Sequence, residues 1–403
     1  MIVRRVIVGI VCAVTAGTAF ADEGWQTSID GNLYGYATHS RLDERTSLNP
    51  GNRVAQLAER SLVAEWRLNL KAENADWRLT ARPILHSETV HNAFADGHAD
   101  DAYLSQWQIR YRLNAQWHLA AGRDVLNWGP AQFRSPSSPF YFDNGRSDPL
   151  AELAGVDALK LSWTPDIRRS ITVARVVDGG HLPRAPDPTR DSWLLKAEQR
   201  DDAATYGIVI HHAPKYPTFF GAFAQATLSD AVLIYAEASS ATLAHTLVAT
   251  GSAPQSFAVA DRSRRRTTAL VGASYTFENG QSMALEVLHN GHGYSATQES
   301  AYFGQAVQAP GLLLGYAPPL LGRDYLHAVW QSNTMDEQGF WRLMVSHNLT
   351  DHSSELAFYG ERVLSSRVTA FVMAMATTGS RHSEWGAGLL DNSVSVGVKI
   401  ALP

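Results

Sequence analysis

Apolar and polar side chains alternate in segments of about ten residues along most of this chain, and the connections between segments are short and long in turn. The clearest segment is 61–73. Leu62, Ala64, Trp66, Leu68, Leu70 and Ala72 share one face, and Glu65, Arg67, Asn69, Lys71 and Glu73 share the other. A period of two is strand geometry, whereas a helix repeats at about 3.6 residues. The charged face needs water, and the opposite face needs lipid or a core. Segments 106–113 and 393–402 repeat the pattern. Further strands are expected at 25–37, 77–82, 116–124, 156–164, 169–178, 192–200, 204–212, 218–227 and 231–239. The remainder fall at 267–277, 281–289, 325–333, 340–348, 353–362 and 367–377.

The total is about 18 strands, or about 16 if the weaker segments fail. Short connections at 74–76, 164–168, 200–203, 228–230, 278–280 and 364–366 alternate with long ones at 38–60, 86–102, 125–155, 179–191, 240–266, 290–324 and 378–391. This is the pattern of an all-β, up-and-down antiparallel transmembrane barrel whose short turns are periplasmic. A propeller would repeat a motif at about 40 residues, and none occurs.

The N-terminus reads as a secretion leader. Arg4 and Arg5 precede an apolar run at 6–14, and Ala19-Phe20-Ala21 supplies a cleavage site. The expected organisation is a signal peptide at 1–21 and one barrel at 22–403. Cys12 lies in the leader, so the mature chain has no thiol for a disulfide, a thiolate metal site or a nucleophile. Removing Arg4 and Arg5 takes the formal charge from −5 to −7, which argues against nucleic-acid binding. Eleven Trp and fourteen Tyr suit the aromatic girdles of a membrane barrel. Outer-membrane lipid and lipopolysaccharide, and the barrel-assembly machinery, are the expected partners of such a chain.

A barrel of about 18 strands is wide enough for an aqueous lumen. Arg67, Lys71, Arg78, Arg82, Arg110 and Arg112 fall on polar faces of three consecutive strands and predict a basic wall. Arg123 is a further candidate lining residue. Glu237, Glu286, Glu355 and Glu361 are the candidate acids opposite. Such a wall would attract a polar or anionic solute. The alternative is that Glu65 and Glu73 neutralise the arginines and merely keep the lumen wet.

Segment 127–155 holds Pro130, Pro136, Pro139 and Pro149, which remove backbone donors and exclude a strand. It is also rich in aromatics, which would sit poorly in water. We expect it to fold inward as a constriction, with Trp128, Phe133, Arg134, Tyr141 and Arg146 at its centre. A lid on the outer rim is the alternative.

The stretch Gly122-Arg123-Asp124-Val125-Leu126-Asn127-Trp128-Gly129-Pro130 resembles the Gly-Arg…Trp-Gly stretch of outer-membrane barrels of the alginate-export and capsule-assembly type. Leu321-Gly322-Arg323-Asp324-Tyr325 and Asn348-Leu349-Thr350-Asp351 are similar to pieces of related porin-like barrels. The resemblance implies an 18-stranded barrel that passes or exports a polar molecule such as a polysaccharide. A closed barrel that binds or assembles surface polysaccharide is a second reading. The ending Leu402-Pro403 departs from the aromatic terminus usual for such barrels.

Other features carry weaker expectations. Segment 311–319 reads as a short helix, a plug or a rim segment. Arg262, Arg264, Arg265 and Arg266 could hold lipopolysaccharide phosphates or stand in a solvated loop. His289, His292 and Ser295 motivate a third reading, a lipid hydrolase at the rim, although no nucleophile-elbow motif occurs. Asp96, Asp100 and Asp101 lack calcium-loop spacing, and the adjacent His211 and His212 face opposite sides of a strand. No cofactor, metal or catalytic residue is predicted.

Overall fold

A computed structural model describes residues 24–180, 189–250 and 256–402. The expected leader at 1–21 lies outside the described residues.

The first half of the barrel consists of β1 (Gln26–Leu42), β2 (Arg60–Glu73), β3 (Trp77–His91), β4 (Asp96–Arg112), β5 (Trp117–Asp124), β6 (Val156–Asp166), β7 (Arg169–Asp178), β8 (Ser192–Arg200) and β9 (Ala204–His212). Then come β10 (Phe219–Thr227) and β11 (Val232–Ala241), followed by a separate hairpin of β12 (Ala244–Thr250) and β13 (Ser256–Arg262). The wall resumes with β14 (Arg266–Thr276), β15 (Ser282–Asn290), β16 (Asp324–Gln331), β17 (Gly339–Asn348), β18 (Ser354–Val363), β19 (Val368–Thr378) and β20 (Leu390–Leu402). Each wall strand pairs antiparallel with its neighbours, and β1 pairs with both β2 and β20. The result is a closed 18-stranded antiparallel barrel. Closure removes the unpaired strand edges that lipid could not satisfy.

The alternation separates two faces. On β2, Leu62, Ala64 and Trp66 are exposed while Val63, Glu65 and Arg67 are buried. Val271 on β14 and Leu285 on β15 are 58% and 46% exposed, and inward-facing Leu270 and Leu288 are 1% exposed. An apolar exterior requires lipid around it. Aromatics gather at the short-turn end: Trp77 against Tyr111, Trp117 against Trp163, Tyr275 against Phe277 and Trp330 against Trp341. Amphipathic rings favour that depth.

The short turns form where side chains cap the backbone. Asn74 Oδ1 accepts from the amides of Asp76 and Trp77, and Asn114 and Asp166 act likewise at 114–117 and 166–169.

The long-loop end departs from expectation in three places. Segment 86–102 is mostly strand, because β3 and β4 continue to a turn in which Asn92 Oδ1 accepts from the amides of Phe94 and Ala95. Segment 240–266 contains the β12–β13 hairpin. Segment 290–324 contains α1 (Ala296–Ala306), which is not among the expected elements, and α2 (Pro310–Tyr316), which matches the short-helix reading of 311–319. Ser295 caps α1 in a reciprocal capping box with Gln298. These pieces share a core of Leu48, Leu247, Phe257, Tyr294, Tyr302, Phe303, Leu313 and Ala387, and so cap part of the mouth.

Candidate permeation pathway

The segment between β5 and β6 is sewn to the inward wall by carboxylates. Glu237 on β11 is 2% exposed and accepts from the amides of Ala131 (2.9 Å) and Ser137 (3.2 Å) and from the hydroxyls of Ser135 (2.6 Å) and Ser137 (2.7 Å). Glu286 on β15 is 1% exposed and accepts from the amides of Gln132 (2.6 Å) and Phe133 (2.8 Å). Hydrogen bonds contribute about 0.5–1.5 kcal/mol each, and leaving a buried donor unmade costs more. Gly129 adopts φ +93°, and a Cβ there would run into the Glu237 carboxylate. Glycine permits both the conformation and the close approach. Both glutamates are therefore inward, but neither is a free acid of the lumen. Their oxygens are occupied by the loop, and the acidic wall expected from the sequence loses these two members. Glu361 is ion-paired with Lys399 at 3.4 Å.

The aromatic and basic residues of the loop hold it in shape. Phe133 is 1% exposed and stacks on His327 with ring centroids 4.8 Å apart. Arg134 lies over the Phe133 ring and donates to its carbonyl. Arg146 donates to the carbonyls of Gly129, Pro130 and Ala131. Tyr141 donates to the carbonyl of Ala154, and Trp128 Nε1 donates to that of Ser137. Leu126, Phe140 and Tyr141 pack with Val156, Val176, Leu194 and Val209 of β6–β9. Leu150 packs with Tyr359 and Phe371 of β18 and β19. Arg342 on β17 donates to Gln132.

The basic residues divide into two groups. Arg67 is buried, paired with Glu65 and bonded to the carbonyl of Leu150 at 2.6 Å. Arg82 pairs with Glu152 at 3.0 Å. These two clasp the far end of the loop. Lys71, Arg78, Arg110 and Arg112 lie nearer the short turns. Glu73 serves both Lys71 and Arg78, and Arg112 is 3.6 Å from Asp76. Arg78 and Arg110 are direct cross-strand partners. Among the described residues Arg110 has no ion pair.

Arg123 is placed differently. It shares the face of Leu119 and Ala121, opposite to that of Ala120 and Gly122, and pairs with Asp157 at 2.9 Å across β5–β6. That is the lipid side of the wall near its outer end, so Arg123 does not join the lumenal cations.

The histidines at the rim do not form one relay. His289 Nδ1 is 2.7 Å from Asp324, His292 Nδ1 is 3.3 Å from Ser263 Oγ, and Ser295 caps α1. His211 is buried against Phe140 and His212 is exposed. Among the described residues no group of three or more His, Asp or Glu side chains is arranged to hold a metal.

Sequence reasoning missed a carboxylate cluster in the cap. Glu384 accepts from the Leu321 amide, the Tyr325 hydroxyl and Asn348 Nδ2. Glu299 on α1 is buried, and its Oε2 has no partner among the described residues. Burial, with Asp351 and Glu384 nearby, pushes the Glu299 carboxyl up to about 8. Burial likewise pushes Glu384 up to about 7. No local sequence signal could reveal the cluster, because its members come from α1, the 348–351 turn and the 379–389 loop.

No family model matches the chain, and no curated protein matches its sequence. Solved structures do match. Pseudomonas aeruginosa OccK11 (OpdR) superposes with a TM-score of 0.57 at 10% identity, covering 94% of this chain and 96% of that one. Pseudomonas aeruginosa OccK5 (OpdH) gives 0.55 at 8%, covering 94% and 99%. A Rhodopseudomonas blastica porin mutant gives 0.47 at 12%, covering 94% and 100%. The alginate-export resemblance is not among these likenesses. The chain is similar to outer-membrane porins in fold, and its closed, apolar-sided barrel belongs in the outer membrane of a Gram-negative bacterium.

Proposed function

We propose that the chain is a porin-like outer-membrane channel that passes small, polar, negatively charged solutes. The observation that carries this reading is the Arg78–Arg110 pair. Like charges directly opposite on a sheet repel, and only Arg78 has a carboxylate partner among the described residues. With Lys71 and Arg112 they make four cations against Glu73 and Asp76. A surplus of positive charge on a wetted wall concentrates anions.

In this reading the inward loop at 127–155 sets the bore. Arg67 and Arg82 act on the solute indirectly, by holding the loop end, and Trp128, Phe133, Arg134, Tyr141 and Arg146 keep the loop compact. A loop tied to several walls favours small solutes over a polymer. The same ties favour the second reading, a closed barrel that binds surface polysaccharide.

Liposome swelling with the refolded protein separates these readings. Faster swelling in a sugar acid than in a neutral sugar of equal size supports the anion channel. No swelling in either solute supports the closed barrel.

A further inference from the structure

A cavity of about 820 Å³ lies between the β12–β13 hairpin and the outer ends of β14 and β15. Arg262, Arg264, Arg266 and Arg323 line it with His289 and His292, and no Asp or Glu does. Among the described residues, Arg262, Arg264 and Arg266 have no ion pair. Arg323 is oriented by a bond from its Nε to the Gly293 carbonyl (3.2 Å). His292 Nδ1 lies 3.3 Å from Ser263 Oγ of the hairpin.

Two strand residues of the lining point to the lipid side. His289 shares its face of β15 with Val287 and Leu285, and Thr267 shares its face of β14 with Ala269 and Val271. Val287, Leu285 and Val271 are exposed on the lipid side. Arg266, in contrast, has the parity of inward Thr268 and Leu270, and Leu247 and Tyr294 belong to the cap, so the cavity sits at the rim, between the cap and the outer end of the wall, and reaches the exterior face through His289 and Thr267.

We propose that this cavity binds the phosphorylated sugar headgroup of an outer-leaflet glycolipid. Guanidinium forks match phosphate oxygens in geometry and charge. Ligand cavities span roughly 300–1,000 Å³, so this one is large for a bare phosphate and of a size for a sugar carrying phosphates. The site lies at the rim, away from the Arg78–Arg110 wall, and does not depend on the channel reading.

The test uses the full refolded chain in neutral detergent. The probes are bisphosphorylated lipid A, the same lipid after dephosphorylation, and inorganic pyrophosphate. The variants are Arg264→Gln/Arg266→Gln and the single Arg262→Gln, with Arg168→Gln at a short turn as control. Retention of the barrel's heat-modifiable mobility shows that each variant is folded. The proposal expects lipid A to bind at least tenfold more weakly to the double variant, with the control unchanged and the dephosphorylated lipid weak throughout. Lipid A binding well above pyrophosphate supports a membrane lipid as the source. Equal binding of the two at the same arginines overturns the lipid assignment in favour of a soluble phosphate compound. Equal lipid A affinity in wild type and double variant, or none in either, overturns the site.

Discussion

Arg78 and Arg110 face each other directly across β3 and β4 on the lumenal side, and Glu73 lies 2.8 Å from the first alone. Two guanidinium groups in that register tolerate each other because water or a passing anion screens them. On the proposed reading the pair acts on selectivity rather than on stability. Arg110→Glu should shift the zero-current potential towards cation preference with little loss of folding. Reversal potentials of wild type and variant in one salt gradient check this, and an unchanged value counts against the basic wall.

Glu286 accepts two loop amides in a site closed to water. Glu286→Ala leaves both donors unsatisfied, at about 1–3 kcal/mol each. We predict a less stable, noisier channel of larger mean conductance. Single-channel recording with a urea unfolding series checks both effects. A variant with wild-type conductance would show that the loop does not set the bore.

The exterior assignment predicts an asymmetry between neighbours on β15. Leu285→Arg places a charge in lipid and should cost about 2–4 kcal/mol near the midplane. Ala284→Arg points inward and should cost much less. Equilibrium unfolding in lipid vesicles distinguishes them, and equal costs would mean that the faces are exchanged.

The cap should loosen as the medium becomes alkaline. The raised Glu299 carboxyl means that the folded cap holds a proton which the unfolded segment releases. Its stability is then greatest below the ordinary carboxyl range and falls as pH rises towards and through about 8. Amide exchange of α1, corrected for intrinsic rates, should be slower near pH ~5 than near pH ~9. Glu299→Gln should remove the part of that difference above neutral pH, leaving the part that the raised Glu384 carboxyl contributes nearer pH 7. A variant with the wild-type pH dependence would assign it to other groups.

The strands were legible because lipid outside and water inside impose a period of two that nothing else overrides. Every wall strand overlaps an expected segment and the sheet closes, although β3 and β4 run on through 86–102, where a loop is expected. What alternation cannot convey is what an inward side chain meets. Glu237 and Glu286 have the same pattern whether they face water or loop amides, so their anchoring role was invisible. Arg123 followed a motif, whereas its parity with Leu119 puts it outside. The β12–β13 hairpin and α1 lie in loops whose partners are remote in sequence. Ser295 and Gln298 did carry a readable capping signature for α1.

An anion-preferring lumen beneath a wall-anchored loop makes a simple electrical prediction. The most direct test is the conductance of the refolded protein in a planar bilayer, with the zero-current potential across a salt gradient. We predict stable openings whose reversal potential reports anion preference. A folded barrel that never conducts, or one that prefers cations, would contradict the account.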